Sequence, residues 1–422
     1  MTASQVGYDK VLGWVKGYLG GTHLTVIPTV AWIVLCIIVA QRVTPATLAR
    51  AIPAEESGSG RSRLRRVQRW WQGPELDLGK VTPRLIRFAL ALLPTNQRLV
   101  VALDTTRINP WEVWQAGVVF AGRTLPVAWA VVPYPWPKGR FRQTTLALVE
   151  QLQLAFPSGH HWVLVADRGF PSAALFTQLL KQNTGWTVRL RLSDWIEVVG
   201  VYAMVREHLD AQRLKSGERV EAILGTPNES EKQIRAWVVV NDELALPPQH
   251  KRNPGTERER ALRAKKRAEH LANKGRKSRP PSEAAKRYAQ TWVLFTTAET
   301  VGEAVAEYAA RMTIEEVFRD WHHGWGLREA AADLRSETAV CRMVGIVSLA
   351  YCLQVELGWR LSQSALGQQR RAQWTVTNRV SLFWCGQHLF HDPGYDWIDW
   401  LSAQWEHLIV PDNSTVAVEV AA

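Results

Sequence analysis

The chain has 422 residues, 46% of them hydrophobic, and a formal net charge of +12 at pH 7. A chain of this length can bury a large core and is expected to form two or three domains. Its four cysteines lie far apart, mostly within apolar runs. The composition therefore implies no disulfide framework and is typical of a reduced compartment, so we predict a cytoplasmic protein.

Residues 1–95 are predicted to form an N-terminal helical region that binds DNA. The apolar run at residues 26–40 is shorter than the ~18 to 20 residues that span a bilayer, so it predicts a buried helix and no membrane partner. After a Gly/Ser break, the segment RSRLRRVQRWW carries basic side chains that suit DNA phosphates: Arg63, Arg65, Arg66 and Arg69. The adjacent Trp70 and Trp71 would either stack on unpaired bases or pack in a core.

Strand signals begin at residue 98, and residues 96–195 are predicted to form the first part of an α/β core. Three β-rich runs predict an antiparallel meander, which is followed by a helix, a buried strand, a second helix and another strand. A right-handed crossover would place the buried strand parallel to the first strand of the meander. Asp104 and Asp167, at the ends of these two strands, would then lie side by side at one edge of the sheet.

Residues 196–293 are predicted to form a β-rich insertion with a basic segment at residues 250–290. This segment has fourteen Lys and Arg against four Glu, a net charge of +10, and so contributes most of the formal excess. We predict that it follows a DNA backbone through side chains that include Lys265, Lys266 and Arg267; the alternative is a solvated or disordered basic loop. Trp292, which closes the insertion, is a further candidate for DNA contact or for core packing.

The stretch YAARMTIEEVFRDWHHGWG belongs to a predicted second part of the core at residues 294–365. At 100° per residue on a helix, Tyr308, Arg311, Glu315 and His322 fall in one narrow stripe beside an apolar face. The stripe is either a functional constellation or a solvated salt-bridge face. Glu316 lies about 100° from Glu315 and is expected to be a surface charge.

The last predicted region, residues 366–422, contains the segment WCGQHLFHD. Cys385, His388 and His391 offer three ligands for a structural zinc ion, but the segment lacks a second cysteine pair or a partner cluster.

Asp104, Asp167 and Glu315 are the candidate catalytic residues. Three oxygen ligands that converge at a sheet edge suit Mg²⁺ or Mn²⁺. Two such ions about 3.5 to 4 Å apart would activate a water or a 3′-hydroxyl and stabilise the leaving oxygen of an in-line displacement at phosphorus. A basic surface together with an acidic metal site predicts a nucleic acid substrate.

Four motifs occur in order along the chain: LDTT at 103–106, LPVAWAVV at 125–132, VADRGF at 165–170, and the spacing Tyr-x2-Arg-x3-Glu of Tyr308, Arg311 and Glu315. With these motifs the chain resembles, over roughly residues 98–360, the bacterial insertion-sequence transposases of the DDE type. The closest pattern is that of the cut-and-paste branch, whose signature is Tyr-x2-Arg-x3-Glu-x6-Lys. His322 stands at the lysine position, and an imidazole with an ordinary pKa near 6.5 is mostly neutral at pH 7.

The resemblance implies an α/β fold in which an RNase H-like mixed sheet is flanked by helices, with the β-rich insertion and the N-terminal helical domain added to it. It implies that Asp104, Asp167 and Glu315 hold two Mg²⁺ or Mn²⁺ ions, and that Tyr308 and Arg311 contact phosphates near the transposon end. His322 would donate a hydrogen bond to a phosphate. The enzyme would cleave transposon ends and transfer the 3′-hydroxyl to target DNA, with or without a hairpin intermediate.

The implied partner is double-stranded DNA, both the terminal inverted repeats and the target. A homodimer in the bacterial nucleoid is expected, because two ends must be paired. Two alternatives remain: a catalytically inactive DNA-binding descendant of a transposase, which His322 would suit, and an RNase H-like nuclease or resolvase without strand transfer.

Overall fold

The structure is a computed structural model that describes residues 3–19, 26–52, 59–71, 78–94, 98–108, 110–225, 233–242, 291–332, 334–364, 368 and 381–391. The basic segment at 250–290, with Lys265, Lys266 and Arg267, lies outside the described residues. The chain divides into two compact units: residues 1–186 together with 310–422, and residues 187–309.

The first unit begins with the helices that the sequence predicts: α1 Ala3–Leu19, α2 Val26–Ala40, α3 Pro45–Ala51, α4 Gly60–Trp71 and α5 Leu78–Leu92. The apolar run is α2, and nearly all its side chains from Ile27 to Ile38 are buried. It packs against α1 and against a long helix later in the chain, α11 Glu337–Gln363. The N-terminal helices are therefore part of the hydrophobic core of this unit.

Four strands form the sheet of the first unit: β1 Leu99–Ile108, β2 Trp111–Phe120, β3 Arg123–Pro133 and β4 Trp162–Ala166. Their order is β3-β2-β1-β4, with β1 parallel to β4 and the other pairs antiparallel. Helix α6 Arg140–Ala155 makes the crossover from β3 to β4, and α7 Ala173–Leu180 follows β4. The meander and the parallel crossover are thus confirmed, and the fold is α/β with an RNase H-like mixed sheet flanked by helices.

Helix α11 follows the short helix α10 Leu327–Ala331 and is the central helix of the first unit. It packs against β3, α2 and the last described helix, α12 Leu382–His391. A Cβ atom on Gly358 would lie 2.8 Å from the backbone nitrogen of Gly386, so only glycine permits this close helix crossing. Among the described residues, α11 is the only individual helix that is long and apolar enough to cross a membrane. Helices α2 and α3, which are joined by a sharp bend, would be long and apolar enough only if the two together formed one span. In the most apolar 18-residue stretch of α11, 94% is buried inside the protein.

The second unit is rich in β-structure, as the sequence predicts. Its strands are β5 Gly185–Arg189, which begins at the unit boundary, β6 Trp195–Val198, β7 Val201–Met204, β8 Arg219–Leu224, β9 Ile234–Asn241 and β10 Trp292–Thr296. They pair antiparallel in the order β5-β10-β9-β8-β6-β7. The short helix α8 Val205–Asp210 follows β7. The run WIEVVGVYAMV is therefore a hairpin of two strands, which turns at Val199 and Gly200, both with positive φ.

The second unit extends beyond the predicted insertion at both ends. Strand β10 pairs with residues 187–189 of β5, and helix α9 Val301–Arg319 contributes its first half to this unit. That half packs its apolar side chains on β10. A boundary placed by the change in sequence pattern misses these two elements, because they belong to the core that the insertion builds for itself.

Candidate active site

Asp104 and Asp167 are brought together by the pairing of β1 with β4. The last paired residues of the parallel ladder are Leu103 and Ala166, so the two aspartates are the next residue on each chain. Asp167 directly follows its strand, whereas β1 continues to Ile108 because it remains paired with β2. The prediction that the two aspartates lie on adjacent strands is confirmed, although Asp104 does not end its strand.

Glu315 lies on the second half of α9, which belongs to the same unit as the two aspartates. Thr313, on the same half, shares a hydrogen bond of 2.6 Å with Thr124 of β3. Arg311, one turn before Glu315, places its guanidinium between the acids of the two elements. Its Nη1 donates to Asp104 Oδ2 at 2.7 Å, and its Nη2 donates to Glu315 Oε1 at 2.6 Å.

The side chains of the site differ in their exposure to solvent. The side chain of Arg311 is 5% exposed, that of Asp104 is 19% exposed and that of Glu315 is 44% exposed. Burial raises the pKa of Asp104 to about 6, although the guanidinium of Arg311 and the backbone amide of Thr105 lower it. The charges of Asp167 and Glu315 raise it further, so both of these carboxylates are close enough to Asp104 to repel its negative charge.

The donor set fits a divalent cation in its chemistry. All three candidate ligands are carboxylates, Asp104 is affected by the charges of the other two, and the guanidinium of Arg311 bridges Asp104 and Glu315. Within the described part of the chain, no three acidic, histidine or cysteine side chains are arranged so that they could share one ion. The bridging cation in this structure is the guanidinium of Arg311.

Tyr308 does not lie at the surface, which corrects the expectation of a phosphate contact. It is 1% exposed in the core of the second unit, and its ring stands edge-on to that of Trp292, with centroids 4.8 Å apart. Trp292 is 6% exposed and belongs to the same core cluster. Burial against β10 thus makes both aromatic rings core residues rather than DNA-contacting ones.

His322 does not continue the stripe of Arg311 and Glu315 at the surface, as the helical spacing predicts. The α-helix ends at Arg319 and continues as a π-helix, Asp320–Gly324, so the angle of 100° per residue no longer applies. The imidazole is 8% exposed, and its Nε2 shares a hydrogen bond of 2.8 Å with the hydroxyl of Thr106. Burial, with smaller effects of Arg328 and His323, lowers the pKa of His322 to about 4, so the ring is neutral at pH 7.

Glu316 is part of an ion-pair network and not an isolated surface charge. It pairs with Arg319 at 2.5 Å and with the buried Arg123 at 3.7 Å. Arg123 also lies 3.7 Å from Asp320, whose carboxylate accepts a hydrogen bond of 3.1 Å from Tyr351. Sequence reasoning missed this network, although an aspartate beside the buried Phe318 and Trp321 was a signal for a buried acid with a partner.

Helix α4 carries the N-terminal basic cluster on its outer face. Arg65 and Arg69 are exposed, as is Arg61 one turn earlier, whereas Arg63 and Arg66 are partly buried. Two of these arginines line an open cavity of about 630 Å³, whose lining is Pro45, Ser62, Arg65, Gln68, Arg69, Trp71 and Leu334. Helix α4 thus presents a basic groove to solvent.

The tryptophans of α4 face the core, which decides between the two roles left open by the sequence. Trp70 and Trp71 are 6% and 1% exposed, and the guanidinium of Arg342 lies 4.3 Å from the centroid of the Trp70 ring. In the C-terminal region Cys385 is buried in α12, and the side chains of His388 and His391 lie outside the described residues.

Comparison with known proteins identifies the family. No curated protein matches the chain. A family model described as the transposase DDE domain matches residues 139–353, just over half of the chain, including Asp167 and Glu315. The chain therefore belongs to the family of transposases with a DDE domain.

Proposed function

We propose that this transposase cleaves DNA at transposon ends in a metal-dependent reaction and transfers the resulting 3′-hydroxyl to target DNA. Asp104, Asp167 and Glu315 would be the metal ligands and catalytic residues. The observation that carries the proposal is the coupling of Asp104 to the other two carboxylates: Asp167 directly follows the adjacent parallel strand, and Glu315 is tied to Asp104 through Arg311.

The residues of the site suit phosphoryl transfer. Bound Mg²⁺ or Mn²⁺ would activate a water molecule or the 3′-hydroxyl of the DNA as the nucleophile and would offset the charge on the leaving oxygen. Asp104 is ionised above pH 6 and is fixed by the amide of Thr105 and by the β1 ladder, so it offers a rigid ligand. Glu315 is the most exposed of the three, so its carboxylate is the most accessible to a substrate from solvent. The basic groove on α4 would hold a stretch of DNA backbone.

The proposed site is tested by single substitutions that keep the shape of each side chain. Asp104→Asn, Asp167→Asn and Glu315→Gln should each reduce Mg²⁺-dependent nicking of end DNA by at least about 10³-fold, because each removes a charged ligand. Binding to the same duplex should change little. The probe is a labelled duplex of the terminal repeat that flanks the reading frame, resolved on denaturing gels.

A matched control is available one residue away. Glu316→Gln removes a neighbouring acid on the same helix that pairs with Arg123 and Arg319. It should retain nicking within a few-fold. Full activity in any of the three carboxylate variants would remove that residue from the proposed site.

The same assay separates the rival functions. A wild-type chain that binds the terminal repeat without nicking it would be the inactive descendant. Nicking without any joined plasmid product would indicate a nuclease or resolvase. A hairpin species on the denaturing gel would establish the hairpin route, and the mass of the protein bound to two ends would establish the proposed homodimer.

A further inference from the structure

We infer that Arg311 is the internal counter-cation of the metal-free site, and that a divalent ion must displace it to bind Asp104 and Glu315. The inference rests on the proposed metal site and assigns a new positioning role to an arginine of this chain. The guanidinium would hold the carboxylates of β1 and α9 together before the metal ion arrives and would compete with that ion for them.

The geometry of the contact carries this step. Arg311 uses two different nitrogens for two acids on different elements, at 2.7 Å to Asp104 and 2.6 Å to Glu315. Both are short, charge-assisted hydrogen bonds, which are the strong kind. The two partner carboxylates are two of the three proposed metal ligands. One cation therefore excludes the other unless the arginine moves.

Burial makes the contact more than a surface ion pair. The side chain of Arg311 is 5% exposed, so its charge has little contact with water and depends on its two acids. In the same way, an ionised Asp104 in this half-buried place depends on a nearby positive charge, because Asp167 and Glu315 repel it. The arginine therefore relieves a repulsion that a bound metal ion would also relieve.

Arg123 provides a comparison within the same unit. It is also buried and also lies near two acids, Glu316 and Asp320, but at 3.7 Å each. Asp320 has a further partner in Tyr351. Replacing Arg123 should therefore cost stability in the same way as replacing Arg311, but without opening a place for a divalent ion.

The experiment measures metal binding and not catalysis. Binding of Mn²⁺ to the full chain is followed by the electron paramagnetic resonance signal of free Mn²⁺ at pH 8, where the acids are ionised. Arg311→Gln should lower the dissociation constant for Mn²⁺ by about tenfold or more, because no ion pair has to be broken. Arg123→Gln should leave it at the wild-type value, and Asp104→Asn should abolish site binding in either background.

A thermal shift supplies the second measurement. Without metal, both arginine variants should melt below the wild type, and saturating Mn²⁺ should raise the melting temperature of Arg311→Gln more than that of the wild type or of Arg123→Gln. Should Arg311→Gln fail to fold, Arg311→Lys replaces it. Lysine keeps the charge but cannot span both acids, so its dissociation constant should fall between those of the wild type and an open site.

The outcomes separate this inference from the proposed function. If the Arg311 variants bind Mn²⁺ in an Asp104-dependent way but no more tightly than the wild type, Arg311 does not compete with the metal ion. The proposed metal site would still be supported. No Asp104-dependent binding in the wild type or in any Arg311 variant would overturn both. Tighter binding in the Arg311 variants alone supports both.

Discussion

His322 shows how burial fixes the charge of a single residue. In the cut-and-paste signature that the chain resembles, this position holds a lysine, which would need a counter-charge here. The structure instead encloses a neutral imidazole that shares a hydrogen bond with Thr106. Because burial lowers its pKa to about 4, protonation below the ordinary pKa near 6.5 favours the unfolded chain. The stability that depends on neutral His322 is complete above pH 6.5 and is lost as the pH falls towards 4.

This linkage gives a measurable difference between two variants. His322→Gln can still bond to Thr106 but cannot take up a proton. Between pH 7.5 and pH 5, its free energy of unfolding should fall by about 2 kcal/mol less than that of the wild type. Urea denaturation at a series of pH values measures the difference. His323→Gln, which changes the exposed neighbouring ring, should follow the wild type. If the two histidine variants give parallel curves, His322 is not buried as a neutral ring.

The sequence predicts that two residues are neighbours when they lie one turn apart on a helix. It also does so when they lie on two strands whose order follows from the handedness of the connection between them. Arg311 and Glu315 are four residues apart on a helix, and the handedness of the crossover places Asp104 beside Asp167. The contact of Arg311 with Asp104 joins residues 207 positions apart and depends on how α9 lies against β1. No periodicity in the sequence contains that information, so the internal cation of the site could not be predicted.

At the scale of elements, α4 combines an apolar inner face with a basic outer face. Val67, Trp70 and Trp71 are buried, while Arg61, Arg65 and Arg69 recur every fourth residue and are exposed. At a rise of about 1.5 Å per residue, these arginines begin about 6 Å apart along the helix. Three cationic side chains in one exposed row suit the helix to lie along a DNA backbone.

Removing positive charge from α4 tests whether this helix contacts the DNA backbone. If both arginines that line the groove contact phosphates, the double change Arg65→Gln and Arg69→Gln should make the plot of log affinity against log salt shallower by about 2 units. Fluorescence anisotropy with a labelled duplex at several salt concentrations measures the slope. The control pair Lys181→Gln and Arg206→Gln removes the same charge from two exposed positions, one directly after α7 and one on α8. An equal change of slope in both pairs would mean that only net charge matters.

Regular elements were predictable, and their irregularities were not. The strands of the meander, the crossover helix and the two halves of the core follow from alternating or helical apolar patterns. The π-helix at Asp320–Gly324 has the same apolar pattern as an α-helix, and it nevertheless turns His322 inward. Tyr308 was misassigned for a related reason, because a helix stripe that is polar near Glu315 becomes a core face where β10 covers it.

At the scale of the whole molecule, positive charge is concentrated in two segments. The net charge is +12, of which residues 250–290 carry +10 and the five arginines of α4 carry +5. Every other part of the chain together is therefore slightly negative, at −3. Non-specific attraction to DNA should come from these two segments, since each neutralised phosphate releases counterions from the duplex.

The role of the basic segment in DNA binding is tested by removing its charge without shortening the chain. Replacement of residues 250–290 by a Gly/Ser sequence of equal length keeps the connection between β9 and β10, and it should make the salt dependence of DNA binding shallower by several units. A scrambled segment of unchanged composition should bind as the wild type does, because phosphate contacts need charge and not order. The triple change of Lys265, Lys266 and Arg267 to Gln should lower the slope by about 3 units if each side chain reaches a phosphate. A neutral segment with an unchanged slope would show that residues 250–290 are a solvated loop, and α4 would then account for the attraction to DNA.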